Sequence, residues 1–86
     1  LVYTPEVSTA SPSKAPLTAG VLGGGQLARM LAEAGRALGL RVAVLAEAAD
    51  APAAQVADEV VTGALDDERA LRALFSRVEV ATFENE

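Results

Sequence analysis

Apolar positions along the chain change their spacing several times between Leu17 and Phe83. Short, mostly apolar runs at 17–22, 40–45 and 78–83 predict strands, and Val60 and Val61 fit a further short strand. Between the first two runs the apolar residues recur every three or four positions, which predicts one stripe along a helix face. That predicted stripe comprises Leu27, Met30, Leu31, Ala34 and Leu38.

Further signals place the ends of the helices. Gly39 is expected to stop the first helix, with Glu33 and Arg36 turned towards solvent. Asp50 is expected to cap one or two helical turns that start near Pro52. A later helix is expected to start at Asp66 or Asp67 and to share one face between Leu71, Leu74 and Phe75, while Val80 and Phe83 are expected in the core.

This alternation predicts an α/β fold with a Rossmann-like parallel sheet of about four strands and helices on both faces. Residues 17–86 form the predicted domain. Residues 1–16 contain three prolines and five Ser or Thr without periodicity, so we expect a disordered tail or linker there. If the first and fourth strands are neighbours, the segments that follow Leu22 and Phe83 face one crevice.

The composition of the chain limits the kinds of site and partner that we expect. The chain has 86 residues, no cysteine or histidine and a net charge of -5, which argues against a self-contained catalytic or metal centre and against nucleic acid as a partner. No apolar run reaches the ~18 to 20 residues of a membrane span, and the N-terminus lacks a signal-peptide layout. We therefore expect a cytoplasmic protein that does not associate with membranes.

The segment Gly23-Gly24-Gly25-Gln26-Leu27-Ala28 joins a predicted strand to a predicted helix, an arrangement that commonly holds an anion. Three interpretations remain open from the local pattern. The turn could bind nothing, it could hold a phosphate or carboxylate, or it could hold a dinucleotide with Glu47 on the ribose. Arg29 is expected at the surface, and Gln26 could face a ligand or cap the helix.

Three segments that follow one another along the chain carry a more specific resemblance to a known family. They are Gly23 to Met30, Asp50 to Asp58, and Val80 to Glu86. Together they resemble the N-terminal preATP-grasp domain of N5-carboxyaminoimidazole ribonucleotide synthetases, members of the ATP-grasp superfamily. The resemblance implies that Gly24, Gly25, Gln26 and Leu27 line a ribonucleotide site, and that Glu84 lies near the substrate amine. It implies no catalytic or metal-binding residue in this chain.

The resemblance also implies an activity for the full-length enzyme. Members join 5-aminoimidazole ribonucleotide and bicarbonate, through carboxyphosphate, using ATP and Mg²⁺ that another domain binds, and a homodimer is expected. The chain departs from the family pattern at Ala28, Ala46 and Asn85. We expect it to be a fragment that is inactive alone, with no role assigned to Glu86.

Three alternatives remain at this stage. The chain could be an NAD(P)-binding module of an oxidoreductase, with Glu47 on the ribose as above. It could belong to another ATP-grasp purine enzyme, such as the formate-dependent glycinamide ribonucleotide transformylase, whose equivalent turn usually carries Glu where this chain has Gln26. It could also be a non-catalytic interaction domain that retains the fold.

Overall fold

A parallel sheet with helical segments on both faces makes up the computed structural model, which describes residues 2–3 and 17–83. The elements in chain order are β1 (Val2–Tyr3), β2 (Thr18–Leu22), α1 (Gln26–Ala37), β3 (Arg41–Ala46), a 3-10 turn (Ala53–Gln55), β4 (Glu59–Thr62), α2 (Glu68–Phe75) and β5 (Val80–Phe83). The predicted α/β alternation and its four predicted strands are therefore confirmed.

Within these residues the strand order is β1-β5-β2-β3-β4. The four strands from β2 to β5 are parallel, as predicted, and β2 lies between β3 and β5, which meets the condition that the first and fourth predicted strands are neighbours. The short strand β1 pairs antiparallel with the outer edge of β5, and the sequence pattern had not predicted it. Residues 4–16 lie outside the described residues, so the tail or linker remains a prediction.

Helix α1 buries a different face from the one that its large apolar residues predict. Ala28 and Ala32 have no exposed surface, whereas Met30 is 61% exposed and Leu38 is 81% exposed. Leu27 and Leu31 are also exposed. The stripe of large side chains is therefore not the buried face of the helix.

The reason is that small residues form a second stripe with helical spacing. Ala28, Ala32 and Gly35 follow one another at intervals of four and three residues, and this stripe lets the helix lie close to β3. A Cβ placed on Gly35 would be 3.1 Å from Cγ2 of Val42. The helix ends as predicted, since Gly39 has a φ of +88°, a conformation that favours glycine.

Helix α2 covers the other face of the sheet. Leu74 is fully buried there against Leu45 and its neighbours, and Leu71 and Phe75 pack at the margin of this cluster, as predicted. Asp67, rather than Asp66, caps the helix, because its Oδ1 accepts hydrogen bonds from the N–H groups of residues 69 and 70. Both faces of the sheet therefore have a core.

The end of β5 is less buried than expected. Val80 is half-buried, and Phe83 is 37% exposed, so its prediction as a core residue was wrong. Phe83 lies at the carboxyl end of the strand, beyond the surface that α2 covers, and this explains its exposure.

Two carboxylates tie adjacent strands together at the amino edge of the sheet. Asp58, which precedes β4, donates its N–H to the carbonyl of Val42 and accepts the N–H of Val42 on its side chain, both at 2.8 Å. Glu79, which precedes β5, forms the same pair of bonds with Thr18, at 2.9 and 2.8 Å. Each crossover therefore ends in a two-bond contact with the strand beside it.

Candidate functional site

The glycine turn leads directly from β2 into α1. Gly23 has a φ of +135°, which a residue with a Cβ rarely adopts, so the chain can turn there at little cost. Gly25 occupies the N-cap position, and its carbonyl accepts the N–H of Arg29 at 2.9 Å. The start of α1 is therefore placed at the carboxyl end of β2, where the positive end of the helix dipole favours an anion.

The carboxyl end of β3 and the segment after it hold this turn. The N–H of Gly23 donates to the carbonyl of Leu45, and the N–H of Ala53 donates to the carbonyl of Gly24, both at 2.9 Å. A Cβ placed on Gly24 would be 2.7 Å from the Cβ of Ala46 and 3.0 Å from that of Ala51. Only a glycine fits at residue 24 without a shift of its neighbours.

The segment after Asp50 differs from its prediction. It forms a single 3-10 turn whose N-cap is Pro52, so the assignment of Asp50 as the cap was wrong. The backbone carbonyl of Asp50 instead accepts a hydrogen bond from Nε2 of Gln55 at 3.1 Å. Ala53, the first residue of the turn, is fully buried among the side chains beneath α1. The 3-10 turn is therefore packed against the sheet.

A cavity of about 440 Å³ opens over the carboxyl ends of β2, β3 and β4. Its walls are mostly apolar, and the carboxylate-bearing Glu47, which is exposed, stands at its edge. The lining residues are Gly23, Gly24, Gly25, Leu45, Glu47, Ala48, Ala51, Pro52, Gly63 and Leu65. The volume falls in the range of small-molecule pockets.

The structure brings together part of the predicted site. Gly24 and Gly25 line the cavity, and Gln26 and Leu27 are exposed in the first turn of α1. Glu84 lies outside the described residues. Its predecessor Phe83 pairs with Leu22 across β5 and β2, and Leu22 precedes the glycine turn.

Sequence reasoning missed Ala46 and Ala53, which contact Gly24 in the glycine turn. Both are buried alanines, and nothing in their local pattern distinguishes them from other alanines of this chain. The one available signal was the run of small residues at 51–54, which allows close backbone packing. Their role depends on contacts with residue 24, more than twenty positions away.

Arg29 pairs with Glu33 at 3.6 Å, and its side chain is 35% exposed, in accord with its predicted surface position. Within residues 2–3 and 17–83, no three His, Cys, Asp or Glu side chains are grouped in a way that could hold a metal ion. No helix in this part of the chain is long and apolar enough to cross a membrane.

Comparison with known proteins identifies the domain. The profile of the ribonucleotide synthetase preATP-grasp domain matches residues 17–86. The chain belongs to this family. The chain is 50% identical over 72 residues to the N5-carboxyaminoimidazole ribonucleotide synthase of Mycobacterium tuberculosis, covering 84% of this chain and 17% of that protein.

Solved structures support the preATP-grasp assignment. The Staphylococcus aureus N5-carboxyaminoimidazole synthetase, solved in complex with ADP, superposes with a TM-score of 0.77 at 40% identity, over 79% of this chain and 18% of that one. The Thermus thermophilus synthetase superposes with a TM-score of 0.72 at 46% identity, over 79% of this chain and 19% of that one. This preATP-grasp domain thus spans less than a fifth of the length of these relatives.

Proposed function

We propose that residues 17–86 form the ribonucleotide-binding domain of an ATP-dependent ligase. The reaction converts 5-aminoimidazole ribonucleotide, bicarbonate and ATP to N5-carboxyaminoimidazole ribonucleotide, ADP and phosphate, in purine biosynthesis. The family membership and the names of the relatives support this proposal. In it, ATP and Mg²⁺ are held by a part of the enzyme beyond this chain, and the assembled enzyme is a homodimer.

The observation that carries the proposal is the parallel pairing of β2 with β5. Leu22 and Phe83 are paired, so the strand that precedes the glycine turn and the strand that precedes Glu84 end side by side. From β2 the chain runs outwards to β3 and β4 and then crosses back to β5 on the other side of β2, and open α/β sheets bind ligands where the strand order reverses in this way.

In this proposal, backbone groups and a side chain bind different parts of the ribonucleotide. The backbone N–H groups at the start of α1, near Gly25, Gln26 and Leu27, suit the negative charge of the ribonucleotide. Glu84 supplies a carboxylate that accepts a hydrogen bond from the exocyclic amine and orients it towards the carboxyl group that it captures. The ribonucleotide is therefore bound at one end by backbone donors and at the other by a side-chain acceptor.

A chimeric enzyme tests this proposal. Residues 17–86 would replace the matching segment of the S. aureus synthetase, and ADP release would be measured with each substrate. We expect turnover that requires both aminoimidazole ribonucleotide and bicarbonate. Turnover that instead requires formate and glycinamide ribonucleotide would refute the assignment, and so would saturable binding of NADH to the 86-residue chain. Light scattering of the chimera tests the dimer.

Glu84→Gln in this chimera tests the role of the carboxylate. A hydrogen bond to a charged acceptor contributes about 1.5–3 kcal/mol, so kcat/KM for the ribonucleotide should fall at least about tenfold. The matched control is Glu33→Gln, because Glu33 is exposed on α1 away from the strand ends. Equal activity of the two variants would show that Glu84 does not contact the substrate.

A further inference from the structure

The contacts beneath the glycine turn assign a role to three alanines. We propose that Ala46, Ala51 and Ala53 are positioning residues that fix the backbone of Gly24, and through it the donors that meet the ribonucleotide. This inference rests on the proposed function. Ala46 and Ala53 do not line the cavity, so they would act on the site only through the turn.

Two alanine side chains lie in close steric contact with Gly24. The α-carbon of Gly24 lies so close to two alanine side chains that an added Cβ would be 2.7 Å from one of them, at Ala46, and 3.0 Å from the other, at Ala51. Separations under 3.0 Å do not occur between real side chains without a shift of one partner. Ala46 is 2% exposed at the end of β3, so its own position is fixed by the sheet.

A hydrogen bond also holds the backbone of Gly24. The carbonyl of Gly24 accepts the N–H of Ala53, so the peptide between Gly24 and Gly25 has a defined orientation. Ala53 is fully buried in the cluster that also contains Ala28 and Ala32 of α1. This buried cluster therefore contacts both the glycine turn, through Ala53, and the first half of α1, through Ala28 and Ala32.

These contacts leave little freedom at the start of α1. A larger side chain at residue 46 would push Gly24 away from β3, and the N–H groups that follow would move with it. A displacement of about 1 Å of a binding group can cost up to about 100-fold in rate. The position of Gly24 therefore depends on residues 46 and 51, a link that local pattern does not reveal.

The experiment uses the chimeric enzyme described above and the substitution Ala46→Val. We expect KM for aminoimidazole ribonucleotide to rise at least about tenfold, with KM for ATP unchanged. The matched control is Ala43→Val, which changes an equally buried alanine of the same strand on the opposite face. That control should lower the thermal midpoint without changing KM for the ribonucleotide.

A double-mutant cycle covers the case in which Ala46→Val does not fold. Gly24→Ala should raise KM for the ribonucleotide, and addition of Ala46→Gly should recover part of that loss, because it removes the atom that the new Cβ meets. Additive effects of the two substitutions would overturn the inference. An unchanged KM in a folded Ala46→Val enzyme would also overturn it, whereas absence of ribonucleotide-dependent turnover in the parent chimera would refute the proposed function itself.

Discussion

The choice of buried face on α1 can be tested with two substitutions in the 86-residue chain. Ala32 has no exposed surface, so Ala32→Leu forces three extra carbon atoms between the helix and β3. Overpacking of this kind costs about 1–3 kcal/mol. Met30 is 61% exposed, so Met30→Ala removes little buried area, and the high helix propensity of alanine offsets part of the loss. Its effect should stay within about 0.5 kcal/mol.

The free energy of unfolding would be measured by urea titration, followed by far-ultraviolet circular dichroism. For a domain of this size, 1 kcal/mol corresponds to about 4–8 °C in the thermal midpoint, so the two variants are readily separated. If the large apolar stripe faced the sheet instead, Met30→Ala would cost about 2–5 kcal/mol. A larger loss for Met30→Ala than for Ala32→Leu would refute the described packing of the helix.

Two further substitutions test the face that α2 covers. Leu74→Ala empties the position of a fully buried side chain and should cost about 2–5 kcal/mol in the same urea titration, with an unchanged m-value. Asp67→Ala removes the acceptor for two helix N–H groups and should cost about 0.5–2 kcal/mol, whereas Asp66→Ala should cost less than about 0.5 kcal/mol. Equal losses at residues 66 and 67 would contradict the cap assignment.

Much of the fold could be predicted because its signals are local. The change from short, mostly apolar runs to helical spacing marks the strands and helices, and Gly39 and Asp67 mark two helix ends by their backbone and capping chemistry. The adjacency of β2 and β5 is an arrangement that open parallel sheets commonly adopt. These features require no knowledge of distant contacts.

The face of α1 could not be predicted in this way. Two stripes share helical spacing, one made of large side chains and one of Ala28, Ala32 and Gly35, and spacing alone does not choose between them. The short distance between the helix and β3 decides in favour of the small residues. The contact of Gly24 with Ala46 was missed for the same reason, because it joins residues that are far apart in sequence.

The paired bonds made by Asp58 and Glu79 at the amino edge of the sheet have a consequence for strand alignment. The sheet is rich in alanine and valine, so shifting a strand by one position would exchange side chains of similar size between two covered faces. Such slippage would break the bonds to Val42 and Thr18. Alignment is thereby secured at the edge opposite the glycine turn, and the residues at the carboxyl edge can diverge to suit a ligand without allowing the strands to slide.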